Sequence, residues 1–159
     1  NHGRAQVGDF TADALRLQMG VDVAFQNTGG VRANLDKGDI TKKEIFQILP
    51  FNNPTVKYNM TVAEIKNFLK GSGTGLYYAG VTFQKNNNDI DVRDLNGNLL
   101  SDSTTLTVGV NDYIPAVYDT YFPASKIVSS KTDAETVISY LKEINNQVNY
   151  STSNNYFKY

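Results

Sequence analysis

The sequence predicts an α+β fold, with one mixed sheet and helices packed on it in a single domain over residues 1–159. Two patterns and the chain length predict it. Thr41-Lys42-Lys43-Glu44, Thr61-Val62-Ala63-Glu64 and Thr132-Asp133-Ala134-Glu135 each read as a capping box. In that motif a threonine hydroxyl accepts from the N3 amide and the glutamate reaches back to the N-cap amide. Runs of alternating apolar residues lie between these helix starts, as half-buried strands require. A length of 159 residues suits one domain with one sizeable core.

Taken in order, the first helix is expected over residues 8–19, with Phe10, Ala14 and Leu17 on one face and Gly20 stopping it. Val21, Val23 and Phe25 then alternate as a strand, and a short helix follows Thr41. Val56, Tyr58 and Met60 mark the next strand. The helix after Thr61 carries the stripe Val62, Ile65, Phe68 and Leu69. Val81 with Phe83, Ile90 with Val92, and Leu106 with Val108 and Val110 read as three further strands, with turns at residues 86–89 and 96–98. The last helix carries Val137, Ile138, Leu141 and Ile144. The Asn-, Ser- and Tyr-rich tail from Asn145 is expected to be peripheral. No repeat of 20–50 residues is present.

Composition narrows the function. A net charge of -1 provides no electrostatic footprint for a nucleic acid polymer. No apolar run approaches the ~20 residues of a membrane span. The absence of cysteine excludes disulfides, thiol catalysis and thiolate metal sites. The chain opens Asn1-His2-Gly3, without methionine and without a charged, apolar start like that of a signal peptide, so a processed protein or an excised domain is expected. His2 is the one histidine, and is expected to be a disordered terminal residue.

Three segments concentrate chemistry. In Gln26-Asn27-Thr28-Gly29-Gly30-Val31-Arg32, two glycines let a ligand approach main-chain amides. Asn27 offers a donor and an acceptor there, and Arg32 a planar fork suited to phosphate or carboxylate. The plain alternative is a Gly-Gly turn with a surface arginine. In Ile48-Leu49-Pro50-Phe51-Asn52-Asn53-Pro54, prolines bracket an aromatic that could stack on a flat ligand; the alternative makes Phe51 core between a helix and a strand. In the segment from Val110 to Tyr121, Tyr113 could be a second stacking ring and Asp119 an acceptor for a sugar diol. The alternative is an ordinary Tyr/Asp-rich loop.

Together these segments resemble the 5'-nucleotidase C-terminal domain family, which includes UDP-sugar hydrolases and ecto-5'-nucleotidases. Val7-Gly8-Asp9-Phe10-Thr11-Ala12-Asp13-Ala14 is similar to the family's opening Leu-Gly-Asn-Leu-(Ile/Val)-Ala-Asp-Ala. Asn27–Arg32 matches Asn-(Gly)-Gly-Gly-Ile-Arg, with Thr28 in place of one glycine. Asp36-Lys37-Gly38-Asp39-Ile40-Thr41 matches an acidic-spacer-Gly-x-Ile-Thr stretch, and Leu49-Pro50-Phe51-Asn52-Asn53 matches Leu-Pro-Phe-Gly-Asn. Asn111–Tyr121 follows Asn-(Asp/Phe)-Phe-Leu-Ala-x-Gly-Gly-Asp-Gly-(Tyr/Phe). The resemblance runs from about Val7 to Tyr121.

It implies a substrate-binding domain that works with a separate N-terminal metallophosphatase domain, absent here, which carries a divalent metal pair. No catalytic residue, metal ligand or cofactor is then expected in this chain. Carried over, Asn27 and Arg32 contact the phosphate side, Gly29 and Gly30 belong to the substrate-binding set, Phe51 and Tyr113 sandwich the base, Asn53 touches the base edge and Asp119 binds ribose hydroxyls. The implied partners are a nucleotide or nucleoside and the metallophosphatase half. The implied location is periplasmic or extracellular. One motif departs: Val117-Tyr118-Asp119-Thr120 stands for Gly-Gly-Asp-Gly, and losing three glycines is expected to change that loop. The departure keeps a second reading open, a non-catalytic binding module on the same fold. A third reading has a non-nucleotide substrate and makes both rings core.

Overall fold

The computed structural model describes residues 1–159. Helix α1 (Arg4–Met19) leads to strand β1 (Val23–Asn27) and a short 3-10 turn at Thr28–Gly30. Then come α2 (Lys42–Ile48), β2 (Pro54–Thr61), α3 (Val62–Ser72), β3 (Leu76–Ala79), the hairpin β4 (Thr82–Asn86) and β5 (Asp89–Arg93), and β6 (Thr105–Asn111). A short helix α4 (Tyr113–Val117), a 3-10 turn at Asp119–Tyr121, β7 (Ile127–Thr132), α5 (Asp133–Ile144) and β8 (Tyr156–Phe157) complete the chain.

All three capping boxes form, at the N-termini of α2, α3 and α5. Six strands make one mixed sheet in the order β7-β2-β6-β1-β3-β8, with β1 parallel to β6 and the other pairs antiparallel. One face packs Val23, Phe25, Tyr58, Val108 and Val110 against α3 and the β4–β5 hairpin, with Phe68 at the centre. On the other face α1, α2 and α5 enclose Val7, Phe10, Ile45, Ile48, Leu49 and Val137. The expected α+β mixed-sheet domain is therefore the observed one.

Several details differ from the sequence reading. Helix α1 begins four residues earlier, at Arg4, and Leu17 is 47% exposed rather than facing the core with Phe10 and Ala14. Most of α1 is buried on several sides, while near its end only Leu15 and Met19 reach a small cluster with Val21 and Ala24, so Leu17 is left outside. Three strands escaped the alternation pattern: β3 is buried at every position, β7 is mostly exposed, and β8 is only two residues long, so none shows a period. Gly80 separates β3 from β4 at φ +100, where a Cβ would lie 2.0 Å from the Asp22 carbonyl oxygen.

The tail lies at the sheet edge but is firmly held. Ser153 Oγ and Asn155 N–H donate to Asp9 at 2.7 and 2.9 Å, Tyr150 OH donates to Asp13 at 2.6 Å, and Phe157 is buried. His2 is also ordered, contrary to expectation: it bridges to Leu35, and its Nε2 accepts from the Tyr150 N–H at 2.8 Å.

Candidate functional site

The sheet topology gathers the three chemistry-bearing segments at one end. Parallel β1 and β6 end there, at Asn27 and Asn111. β2 runs antiparallel to β6 with Thr55 opposite Asn111, so the loop before Pro54 reaches the same end. β7 pairs Thr132 with Pro54, which brings the N-terminus of α5 alongside.

Hydrogen bonds tie these loops to one another. Arg32 N–H donates to the Ile48 carbonyl at 2.9 Å, and Asp112 N–H to the Pro54 carbonyl at 2.9 Å. Asp133 N–H donates to the Asn53 carbonyl at 2.8 Å, and Thr132 Oγ1 to Asn52 Oδ1 at 2.5 Å. Asn111 Nδ2 donates to Asn27 Oδ1 at 2.9 Å. Seven of the eight candidates lie on these loops or at the strand ends they leave; Asp119 opens the 3-10 turn after α4, which packs toward α3.

Phe51 is 59% exposed and Tyr113 49% exposed, so neither ring is core; that removes the packing alternative for both. Phe51 is followed by Asn52 at φ 51, in the left-handed region, at the position where the resemblance has glycine. Asparagine tolerates that conformation better than most residues. Tyr113 opens α4 directly after the buried Asn111 and the half-buried Asp112. Arg32 is exposed and has no ion-pair partner, so its guanidinium is available to an anion. Asn53 is half-buried, and Asp119 is exposed.

Gly29 and Gly30 do not supply positive φ. Gly29 is open to solvent, whereas a Cβ on Gly30 would come within 2.6 Å of Gln26 Nε2 and 2.9 Å of Asn27 Oδ1. The second glycine therefore serves close approach of neighbouring side chains rather than a tight turn.

The departing segment 117–120 runs from the end of α4 through a bend at Tyr118 into the 3-10 turn at Asp119–Tyr121, with no positive φ. Tyr118, Tyr121 and Phe122 pack on Phe68, with ring centroids 4.9 to 6.4 Å away. Aromatic anchoring thus replaces glycine-permitted turning. A cleft of about 550 Å³ lies between α3 and Thr120–Pro123 and includes Glu64, Asn67 and Lys70 but none of the eight candidates. Glu64 there is held in its capping box and Lys70 by Asp89, so the cleft offers little free chemistry.

Asp133, 2% exposed at the start of α5, was not among the sequence candidates. Burial pushes its carboxyl up to about 6, and the nearby Asp112 charge adds to that; N–H donors from Ala134 and Asn53 oppose it. Its place as the first helical residue of a capped helix hid it, since an acid there usually reads as a solvated helix-dipole partner. Gln26 and Asn111 were missed as well. The available signal was a polar residue closing an apolar strand.

No group of three or more His, Cys, Asp or Glu side chains converges anywhere in the chain. No helix is long and apolar enough to cross a membrane.

Fold and loop arrangement define an α+β domain that presents a compact three-loop surface at one end of a mixed sheet. The chain belongs to the 5'-nucleotidase C-terminal domain family, whose sequence model matches residues 1–126. It is similar to Endonuclease YhcR of Bacillus subtilis, 25% identical over 95% of this chain and 14% of that protein. It is also similar to the Probable 5'-nucleotidase of Treponema pallidum, 28% identical over 87% of this chain and 28% of that protein. Among solved structures, the 5'-nucleotidase precursor from Thermus thermophilus has a TM-score of 0.74 at 24% identity, covering 89% of this chain and 34% of that one. The Haemophilus influenzae NAD nucleotidase has a TM-score of 0.73 at 24% identity, covering 87% and 30%. These structural likenesses speak to the fold. The chain spans under a third of the length of the two curated relatives named.

Proposed function

We propose that this chain is the nucleotide-binding half of a 5'-nucleotidase-type phosphohydrolase. Phe51 and Tyr113 clamp the base, Asn53 meets its edge, Asp119 accepts from the ribose hydroxyls, and Asn27, the Gly29–Gly30 turn and Arg32 hold the phosphate. The observation that carries this reading is the pairing of two largely exposed aromatic rings with an unpaired arginine on loops bonded together at one sheet end. Exposed rings at a rigid site cost solvation that ligand stacking recovers.

The chemical step belongs to a metallophosphatase domain outside these residues. A divalent metal pair bound there would activate the water that attacks phosphorus. This chain's part is to orient the phosphate and, through Arg32, to offset negative charge developing on its oxygens. The names of its relatives, 5'-nucleotidase, NAD 5'-nucleotidase and endonuclease, have a phosphate ester of a nucleoside as common chemistry. A periplasmic or extracellular location follows from the same reading.

Calorimetric titration of adenosine and AMP at millimolar concentration, into this chain and its Phe51→Ala variant, tests it. The expected result is saturable binding to the parent, lost in a variant that stays folded. Equal binding by both would refute the stacking clamp. The glycine-free segment Val117–Thr120 favours a second reading, a binding module without catalysis, because it changes the loop that aims Asp119. Metallophosphatase motifs elsewhere in the same polypeptide or in a neighbouring gene would decide for the enzyme, and their absence for the module.

A further inference from the structure

Beneath the Thr28–Gly30 turn, three carboxamides form a chain whose hydrogen-bond polarity is fixed at both ends. Gln26, fully buried, donates from Nε2 to the backbone carbonyl of Asn27 at 3.3 Å and to Asn27 Oδ1 at 3.2 Å. A backbone carbonyl can only accept, so the nitrogen and oxygen of Gln26 cannot be exchanged. Asn111, 1% exposed, donates from Nδ2 to Asn27 Oδ1 at 2.9 Å, while its Oδ1 accepts from the Ile114 N–H at 3.4 Å. A backbone N–H can only donate, so Asn111 is fixed as well. Asn27 Oδ1 is therefore held between two donors. Asn27 Nδ2, on a half-buried residue, has no protein partner and is not sealed from solvent.

We infer that Gln26 and Asn111 are positioning residues that lock the Asn27 carboxamide with its nitrogen outward, making Asn27 a donor-only contact for an anionic oxygen of the phosphoryl class. The ligand's identity rests on the nucleotide reading; the orientation does not. Free asparagine would offer either end to a ligand, whereas this one rejects a group that needs an acceptor. Gln26 Oε1 is left buried without a partner, a cost the fold accepts to keep Nε2 on Asn27. Gly30 completes the device, since any Cβ there would press on Gln26 Nε2 and Asn27 Oδ1. Asn27 and Arg32 then place a neutral donor and a cationic fork on either side of the Thr28–Gly30 turn.

The test is hydrogen exchange of side-chain amides in the ¹⁵N-labelled chain. Expected are slow exchange for the Gln26 and Asn111 NH₂ groups and fast exchange for that of Asn27. Asn111→Asp sets a charged acceptor against Asn27 Oδ1; a charge-assisted hydrogen bond is about twice as strong as the neutral one from Gln26 Nε2, so the Asn27 amide should turn over and its NH₂ should become protected. Charge alone would not produce that protection. Inorganic phosphate should shift the Asn27 NH₂ signals of the parent and bind Asn111→Asp at least about tenfold more weakly, the scale of one lost charge-assisted hydrogen bond.

A protected Asn27 NH₂ in the parent, an unchanged one in Asn111→Asp, or no response of the parent's Asn27 NH₂ to phosphate would overturn the inference. A chain that passes the AMP stacking test while Asn27 acts as an acceptor would overturn it and leave the nucleotide reading standing. A chain whose Asn27 NH₂ responds to phosphate but that binds neither adenosine nor AMP would support it and overturn that reading.

Discussion

The backbone N–H of Asp133 donates to the carbonyl of Asn53 at 2.8 Å, so the loop that presents Phe51 is anchored to the first turn of α5. Thr132 Oγ1 reinforces the anchor through Asn52 Oδ1. A loop held in this way can keep an aromatic ring in solvent without letting it collapse onto the core. The Asp133 carboxyl is sealed under the same junction.

That burial makes stability depend on pH. The folded carboxyl titrates near 6 against an ordinary value of 3.8, so the fold favours the protonated form. Between about pH 4 and 6 the native state holds a proton that the unfolded chain has released, and stability falls as pH rises through that window, then levels off. Asp133→Asn removes the titration, so parent and variant should diverge by about 2 kcal/mol between pH 4 and 7, in the variant's favour. Urea unfolding at both pH values checks this; parallel pH profiles would contradict it.

Phe51→Ala and Tyr113→Ala should each cost less than about 1 kcal/mol of stability, because their rings are largely exposed. Phe68→Ala, at a fully buried ring, should cost about 3–5 kcal/mol. Denaturant midpoints with equal slopes measure the contrast. A loss at Phe51 as large as that at Phe68 would return Phe51 to the core.

Two adjacent glycines should respond differently to one methyl group. Gly29→Ala meets open space and should be near neutral. Gly30→Ala drives Cβ into Gln26 and Asn27 and should destabilise by about 1–3 kcal/mol. Thermal unfolding of the pair separates close packing from turn flexibility as the reason for the motif.

Phe157→Ala should destabilise the protein by about 3 kcal/mol, since this ring is buried beside Phe83 at the end of the chain. A melting temperature like the parent's would mean that the tail is dispensable.

The sequence made most of the fold legible where a signal was local. Three capping boxes announced three helices, and alternation announced the strands that bury one face. It was silent where burial is uniform or absent, as in β3 and β7, because neither leaves a period. The tail was underestimated because its anchors, Tyr150 to Asp13 and Ser153 to Asp9, join residues more than 130 positions apart. The candidate residues came from motif resemblance, and their gathering at one sheet end follows from the parallel pairing of β1 with β6. What sequence could not disclose was the support beneath them. Gln26, Asn111 and Asp133 are buried polar groups, and only three-dimensional packing distinguishes such groups from surface amides and acids.

The position of a bound base decides whether Phe51 and Tyr113 form a clamp. Intermolecular NOEs from the adenine H2 and H8 protons of bound AMP to ring protons of the labelled chain measure that directly. The clamp predicts cross-peaks to both Phe51 and Tyr113, and not to Tyr121 or Phe122 in the cleft beside α3. Saturable binding of AMP with cross-peaks to neither Phe51 nor Tyr113 would contradict it.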